Sequence, residues 1–192
     1  MIASYYMRII AGTHKGRVLK PLKGNNIRPT SDRVREAYFN IIGQYFEGAT
    51  ILDLYCGSGA IGLEFLSRGA ERCIFVDISQ NSINLAKENA RQMDMLNRSS
   101  FYTMSASDFL KNIRDYIFDF IFIDPPYKEN ISKSILTLIG PDILKENGIL
   151  TVEHSKRMEY PDTIGRLYLI RNRRFGDTIL SFYSLDFVRY KL

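Results

Sequence analysis

From residue 49 onward, short apolar runs alternate with stretches in which apolar residues recur every three or four positions. The runs have the length of buried strands, and the spacing of three and four is typical of amphipathic helices. Strands that alternate with helices form a parallel sheet covered on both faces. The predicted strands cover residues 49–54, 73–76, 101–104, 117–123 and 148–153. The predicted helices cover residues 59–67, 79–93 and 132–144, and a further short helix is predicted near residue 108.

Beyond Pro161 the pattern changes to two longer strands. Residues 165–172 and 178–187 have strand character, and Gly176 marks the turn between them. We therefore predict an alternating α/β fold that ends in a hairpin. A sheet of this kind binds ligands at the carboxyl ends of its parallel strands.

Residues 1–48 have a pattern of their own. Two apolar segments, residues 8–11 and 17–19, predict a small hairpin, and a helix with an apolar face follows and reaches Tyr45. We predict that residues 1–48 are a basic extension packed on a core formed by residues 49–192.

The composition is that of an ordinary globular protein. The chain has 192 residues, of which 45% are apolar and 24% charged, enough for one domain with a substantial core. Its apolar runs are too short for a membrane span, and its start lacks the pattern of a secretory signal. Cys56 and Cys73 do not form a CxxC pair, so we expect no metal site and a cytoplasmic location.

The net charge of +5 is unevenly distributed. Residues 1–40 carry eight basic and two acidic groups, residues 41–150 carry 10 and 14, and residues 151–192 carry 8 and 5. Basic ends predict a polyanionic partner, with nucleic acid as the leading candidate. A solvated basic face without a partner is an equally open interpretation.

A glycine-rich turn runs from Asp53 to Gly59, directly after the first predicted strand of the core. Gly57, Gly59 and Gly62 fit the pattern G-x-G-x-x-G, so a nicotinamide cofactor is one interpretation. However, a carboxylate before the glycines would repel a pyrophosphate. It would attract a cationic cofactor, and S-adenosylmethionine (SAM) carries both a sulfonium and an ammonium group.

Acidic residues recur at the predicted ends of four strands, at Asp53, Asp77, Asp108 and Asp124. Asp77 is placed to bind ribose hydroxyls, and Asp108 to reach the adenine amino group. The alternative is that each acid caps the helix that follows it. The predicted cofactor contacts are Asp53, Tyr55, Gly57, Ser58, Gly59, Asp77, Ile78 and Asp108.

A second motif, Asp124-Pro125-Pro126-Tyr127, follows the most apolar predicted strand. Two prolines make a stiff turn without backbone donors, so its carbonyls and the Asp124 carboxylate can accept hydrogen bonds from an amino group. Tyr127 offers a flat face for stacking. We predict that these four residues hold an exocyclic base amine for methylation, the alternative being a proline-stiffened loop with a buried tyrosine.

With both motifs placed, the chain resembles the amino-methylating class I SAM-dependent methyltransferases, and most closely the RsmD-type 16S rRNA guanine-N2 methyltransferases. The resemblance implies a Rossmann-like sheet of seven strands, mostly parallel, with the last strand antiparallel. It rests on residues 8–12, 16–17, 28–30, 33–42, 53–59, 62–64, 67–70, 124–127, 153–155 and 175–178.

The resemblance also implies methyl transfer from SAM to the N2 amine of a specific guanine in 16S rRNA, at a guanine-966 type site. The substrate would be naked RNA, the small ribosomal subunit or an assembly intermediate. Apart from the resemblance, we expect a monomer that needs neither metal nor membrane. The basic segment Arg28–Arg35, together with the preceding hairpin, resembles the RNA-facing N-terminal extension of this family. The predicted RNA contacts are Arg8, Lys15, Arg17, Arg28, Thr30, Arg33 and Arg35.

Other hypotheses stay open. Asp-Pro-Pro-Tyr also serves amino-methyltransferases that act on adenine N6 or cytosine N4, and an RNA-binding assembly factor without catalysis could keep the fold. We expect His14 to face solvent or phosphate, and His154 to have a structural role. The arginines of the terminal hairpin extend the RNA surface or lie on a solvated face; they are Arg171, Arg173 and Arg174.

Overall fold

The computed structural model describes residues 7–21, 32–114, 116–126 and 133–186. The helices in these ranges are α1 (Asp32–Ile42), α2 (Ala60–Ser67), α3 (Gln80–Gln92), α4 (Ala106–Asn112) and α5 (Lys133–Leu136). The strands are β1 (Thr50–Leu54), β2 (Arg72–Asp77), β3 (Ser99–Thr103), β4 (Phe118–Ile123), β5 (Leu144–Ser155), β6 (Thr163–Ile164), β7 (Leu167–Phe175) and β8 (Thr178–Ser184).

Within the described ranges, eight strands form one sheet in the order β3-β2-β1-β4-β5-β8-β7-β6. The first five positions are parallel, and β1 lies between β2 and β4. The predicted α/β class is confirmed. Because the strand order reverses around β1, the carboxyl ends of β1, β2 and β4 surround the crevice in which such sheets bind ligands.

The predicted count of seven strands is wrong, because β6 is an additional strand of two residues that pairs antiparallel with β7. The predicted antiparallel end of the sheet is confirmed, since β8 pairs antiparallel with both β5 and β7. A strand of two residues has no detectable alternation, so its pairing is decided by the tight turn at Gly165, whose φ is 60°.

The predicted helix over residues 132–144 is wrong in its extent. Within the described residues α5 ends at Leu136, and Leu144 already belongs to β5, where it pairs with Phe118. The register between β4 and β5 then shifts, so that Ile149 pairs with Phe120. A bulge of this kind disturbs the alternation from which strands are recognised.

Helices cover both faces of the sheet. Side chains of α1, α2 and α3 pack on one face, and those of α4 and α5 on the other. Tyr38 of α1 lies against Phe122 and Phe182, with ring centroids 5.0 and 6.1 Å away. Tyr45, which the pattern assigned to the same apolar face, is 88% exposed because α1 ends at Ile42. In the ranges that the structure describes, the helices are too short or too polar to cross a membrane.

Residues 7–21, which we call the ribbon, double back on themselves. Arg8 and Val18 form an antiparallel bridge, which confirms the predicted hairpin in a minimal form. Ile9 and Leu19 are fully buried and belong to the same hydrophobic core as α1, α2 and α3. The division into an extension and a core at residue 48 stays a prediction.

Candidate active site

Three aspartates come together at the carboxyl ends of neighbouring strands. Asp53 of β1 is level with Phe75 of β2 and Phe122 of β4. Asp77 and Asp124 lie two residues further along these two strands. Because alternate residues of a strand point to the same side, Asp53 and Asp77 project on the face covered by α1, α2 and α3. Asp124 follows the end of β4, close enough for its charge to act on Asp53.

The carboxyl group of Asp53 lies beneath the glycine turn and is only 2% exposed. One of its oxygens accepts a hydrogen bond of 3.0 Å from the backbone N–H of Gly62. Burial, together with the charges of Asp124 and Asp77 and against the opposing effect of the Gly62 hydrogen bond, raises the pKa of Asp53 to about 8. At neutral pH the group therefore holds a proton, and a cation placed beside it would favour the ionised form.

The carboxylate of Asp77 holds the turns that follow β1 and β2. One oxygen accepts from the N–H of Gly57 at 3.0 Å, and the other from the N–H of Ser79 at 2.8 Å. Ser79 also caps α3 by accepting from the N–H of Ser82. Each Asp77 oxygen has the capacity for a further hydrogen bond, which is what a ribose hydroxyl needs.

The glycine turn itself is tightly wound. Tyr55, Gly57 and Gly59 all have positive φ values, of 60°, 53° and 78°. At Gly62 a Cβ atom would lie 2.3 Å from the ring of Phe75, so only glycine lets α2 approach β2 this closely. These glycines therefore allow the tight turn and the close packing of α2 on β2 at the sheet edge where most of the predicted cofactor contacts lie.

Two predicted cofactor residues occupy the rim of this site. Ile78 is 72% exposed beside Asp77. Asp108 is exposed in the first turn of α4, where its N–H donates to the Ser105 hydroxyl and its carboxylate accepts from the same hydroxyl. Ser105 is therefore the cap of α4, with Asp108 as its partner inside the first turn, and the contact of Asp108 with adenine stays a prediction.

The Asp-Pro-Pro-Tyr turn is described as far as Pro126. The backbone N–H of Asp124 donates to the Leu54 carbonyl at 3.4 Å, which ties the turn to the end of β1. Asp124 is half-buried, Pro125 is buried and Pro126 is exposed. Tyr127 lies outside the described residues. The arrangement places an acidic, proline-stiffened edge directly beside Asp53.

The predicted RNA contacts differ in their surroundings. Arg8, Lys15 and Arg17 are exposed on the ribbon, and Arg33 is exposed on α1. Arg28 and Thr30 lie outside the described residues.

The prediction for Arg35 is wrong, because this side chain is fully buried. Its guanidinium donates to the carbonyl of Arg8 and to the carboxylate of Asp32, both at 2.6 Å. Burial lowers the pKa of Arg35. Arg35 precedes Tyr38 by three residues, so both lie on the inner face of the helix. A side chain in this position holds the ribbon to α1 and cannot contact an RNA phosphate.

Sequence reasoning gave no role to Glu64, a fully buried carboxylate in α2. It accepts hydrogen bonds from the N–H groups of Ile10 at 2.7 Å and Ala11 at 2.9 Å. It also accepts from the guanidinium of Arg68 at 2.8 Å. The signal was available, since Glu64 is the one charged residue of an otherwise apolar helix.

Sequence reasoning also gave no role to Asn89, which is fully buried as well. Its amide oxygen accepts from the N–H of Lys20, while its amide nitrogen donates to the carbonyls of Lys20 and Ser58. An asparagine in a stripe of apolar residues, which includes Ile83 and Ala86, needs such partners.

The two histidines occupy different surroundings. His154 is 4% exposed, and its Nε2 lies 2.7 Å from the hydroxyl of Ser181, which donates to Asn172. Burial lowers the pKa of His154. This interior chain of hydrogen bonds across three strands fits a structural role. His14 is half-buried in the ribbon, with Nδ1 2.8 Å from the Thr13 hydroxyl.

Comparison with known proteins adds to this geometry. The family model described as "Conserved hypothetical protein 95" matches residues 7–184. The chain is 42% identical to the YlbH protein of Bacillus subtilis over 93% of this chain and 98% of that protein. It is 35% identical to ribosomal RNA small subunit methyltransferase D of Haemophilus influenzae, over 78% and 79%. The solved structure of the YhhF protein of Escherichia coli matches with a TM-score of 0.82 and 27% identity, over 94% and 99%.

Proposed function

Because the chain belongs to the family of the ribosomal RNA small subunit methyltransferase D proteins, we propose that it methylates the exocyclic N2 amine of a guanine in 16S rRNA, with SAM as the methyl donor. The proposed target is a guanine-966 type site. The observation that carries the proposal is the convergence of Asp53, Asp77 and Asp124 at one sheet edge, beside a proline turn.

The residues at this edge fit SAM. Three clustered carboxyl groups attract a ligand that carries a sulfonium and an ammonium group, and its arrival favours the ionised form of Asp53. The remaining acceptor capacity of Asp77 suits ribose hydroxyls, and the exposed Ile78 beside it suits the adenine ring. When bound, SAM supplies an electrophilic methyl group at the sulfonium.

The protein's own residues contribute to the reaction by binding and orienting the exocyclic amine of the target guanine. An exocyclic amine is a weak nucleophile, because its lone pair is delocalised into the ring. The Asp124 carboxylate and the carbonyls of the proline turn can accept its N–H groups and so direct the lone pair outward. Pro125 and Pro126 add no backbone N–H that would compete for these acceptors. We propose that Tyr127 stacks on the extruded base.

The exposed basic residues supply the RNA-binding part of the proposal. Arg8, Lys15, Arg17 and Arg33 are exposed and can neutralise backbone phosphates. The proposed partner is 16S rRNA, free or within the small subunit or an assembly intermediate. We propose that the enzyme acts in the cytoplasm and as a monomer.

The test is methyl transfer from labelled SAM to 16S rRNA or small-subunit particles that lack the modification, with the product mapped by mass spectrometry. Wild-type protein should label the N2 of one guanine. Asp124→Asn should lower kcat by about 10²-fold or more while calorimetry still detects SAM binding. Asp142→Asn, an exposed carboxylate on another part of the surface, is the matched control.

Equal activity of Asp124→Asn and wild type would remove Asp124 from its assigned role. Label on adenine N6, on cytosine N4 or on duplex DNA would replace the proposed substrate. RNA binding without any methyl transfer would favour an assembly factor that keeps the fold without the activity.

A further inference from the structure

The turn between β7 and β8 lies at the same edge of the sheet as Asp124. Thr178, the first residue of β8, pairs with Ser155, the last residue of β5. β5 runs parallel to β4, which ends immediately before Asp124. The N–H of Lys156 donates to the carbonyl of Asp177 at 2.8 Å and holds the turn in place.

Four exposed basic residues surround this turn, and we call them the hairpin rim: Lys156, Arg157, Arg173 and Arg174. The one acidic residue of the turn is Asp177, which forms an ion pair with Lys156 at 2.6 Å. That hydrogen-bonded cation, with further contributions from Arg174 and Arg157, lowers the pKa of Asp177. Across the described ranges, Arg173 and Arg174 form no ion pair, so the rim carries excess positive charge.

The ribbon is placed differently. Its turn is fastened by the N–H of Thr13 to the carbonyl of Ser67, at the end of α2 that is remote from the glycine turn. The eight residues of α2 span about 12 Å, so Lys15 lies roughly that far from the cofactor edge. By contrast, the hairpin rim is level with the carboxyl edge and is displaced from Asp124 only sideways. Arg173 pairs with Leu180, which pairs with Glu153 of β5. Glu153 follows Val152, the partner of Ile123 at the end of β4.

We propose that the hairpin rim binds the phosphate backbone of the RNA strand whose base is held at Asp124. The inference rests on the proposed function and deepens it. Three strand spacings of about 4.8 Å separate β4 from β7, so the backbone of the rim lies about 15 Å from that of Asp124 across the sheet. One guanidinium group can donate two parallel hydrogen bonds to a single phosphate group. Arg173 and Arg174 are each suited to this role.

Edge protection is the competing explanation for these charges. Beyond Tyr168, the outer side of β7 has no partner strand within the described residues, and exposed charges on such an edge prevent pairing between molecules. This explanation predicts self-association of a neutralised variant and unchanged affinity for RNA.

The experiment compares Arg173→Gln/Arg174→Gln with the control pair Lys111→Gln/Arg114→Gln. The control removes the same charge from two exposed positions, one in the last turn of α4 and one just after that helix. Binding of a 16S rRNA transcript is measured over a series of KCl concentrations. For the rim variant, the slope of log K against log salt should fall by about 1.4–1.8, the release expected for two lost phosphate contacts. Its KM for the transcript should rise about tenfold with kcat little changed, while the control should match wild type.

An unchanged salt slope and KM in the rim variant would overturn the inference. So would a loss seen with small-subunit particles and absent with the naked transcript, because that pattern indicates contact with a ribosomal protein. Self-association with unchanged RNA affinity would assign the charges to edge protection. If wild-type protein transfers no methyl group, the proposed function fails, and the salt slope still decides whether the rim binds RNA.

Discussion

The side-chain amide of Asn89 donates a hydrogen bond of 2.9 Å to the main-chain carbonyl of Ser58, in the turn that leads into α2. The same amide group exchanges two hydrogen bonds with the backbone of Lys20 near the end of the ribbon. One buried side chain of α3 thus joins the basic ribbon to the candidate cofactor turn. The position of that turn depends on the ribbon as well as on the sheet.

Asn89→Ala should weaken both connections. Removal of the amide leaves backbone groups of Ser58 and Lys20 without their partner, and such a loss costs about 1–3 kcal/mol for each group that stays buried. We expect the free energy of unfolding to fall by about 3 kcal/mol and the affinity for SAM to fall about tenfold. Urea unfolding and calorimetric titration with SAM measure the two effects.

Asn84→Ala is the matched control, because Asn84 lies exposed on the same helix and contacts Gln80 at the surface. It should change the free energy of unfolding by no more than about 0.5 kcal/mol. If the two variants have the same free energy of unfolding and the same affinity for SAM, the hydrogen bonds of Asn89 do not stabilise the turn.

Gly12→Ala should detach the turn of the ribbon. A Cβ atom at Gly12 would lie 1.9 Å from the carbonyl oxygen of Ser67, and the φ of +83° is unfavourable for alanine. Gly16 has the same φ but open space around it, so Gly16→Ala isolates the backbone strain of about 1–2 kcal/mol. We expect Gly12→Ala to lower the free energy of unfolding by at least about 3 kcal/mol. Hydrogen exchange at the backbone N–H groups of Ile10 and Ala11 should become faster. Equal effects of the two substitutions would contradict this account.

Glu64→Gln should destabilise the whole domain. The substitution removes the charge that balances the buried guanidinium of Arg68, and breaking a buried ion pair costs about 3–5 kcal/mol. For a chain of this length we expect the melting temperature to fall by about 6–20 °C. Calorimetry beside Glu71→Gln, an exposed control, tests this; a fall of less than about 2 °C would mean that Glu64 is not the anchor of the ribbon.

Asp53→Asn should change how stability depends on pH. The pKa of Asp53 is about 8 in the folded protein and about 3.9 in an unfolded chain, so the folded form binds the proton more tightly. Its contribution to stability is complete below pH 4 and is lost as the pH rises from about 4 to about 8. The variant cannot titrate there, so it should gain about 3–5 kcal/mol relative to wild type across this interval.

Urea unfolding at pH 4, 6 and 8 measures the difference between wild type and Asp53→Asn. Asp142→Asn, an exposed carboxyl group, should follow wild type at every pH. A constant difference between wild type and Asp53→Asn would show that Asp53 is ionised in the folded protein.

Much of the site was predictable because its signals are local. Apolar runs followed by an acid predicted that Asp53, Asp77 and Asp124 stand at strand ends, and the parallel topology brings those ends to one edge. The cap at Ser79 was predictable for the same reason, since it depends on residues three positions apart.

The errors arose where the environment of a side chain depends on distant segments. The position of Arg35 in a basic segment indicated an exposed residue, yet it is buried with the carbonyl of Arg8, 27 positions earlier. The two-residue strand β6 and the bulge in β5 likewise depend on pairing partners and leave no periodic pattern.

By itself, the amino-acid sequence determined the alternating α/β class, the glycine turn and the acidic, proline-stiffened edge, because each follows from spacing within a few residues. Only the tertiary structure decided which charges face solvent. Glu64 and Asn89 are buried and bind the backbone of the ribbon, and the β7–β8 turn lies at the same edge of the sheet as the candidate site. Burial and strand order are set by contacts between segments far apart in the chain, and one-dimensional patterns do not record those contacts.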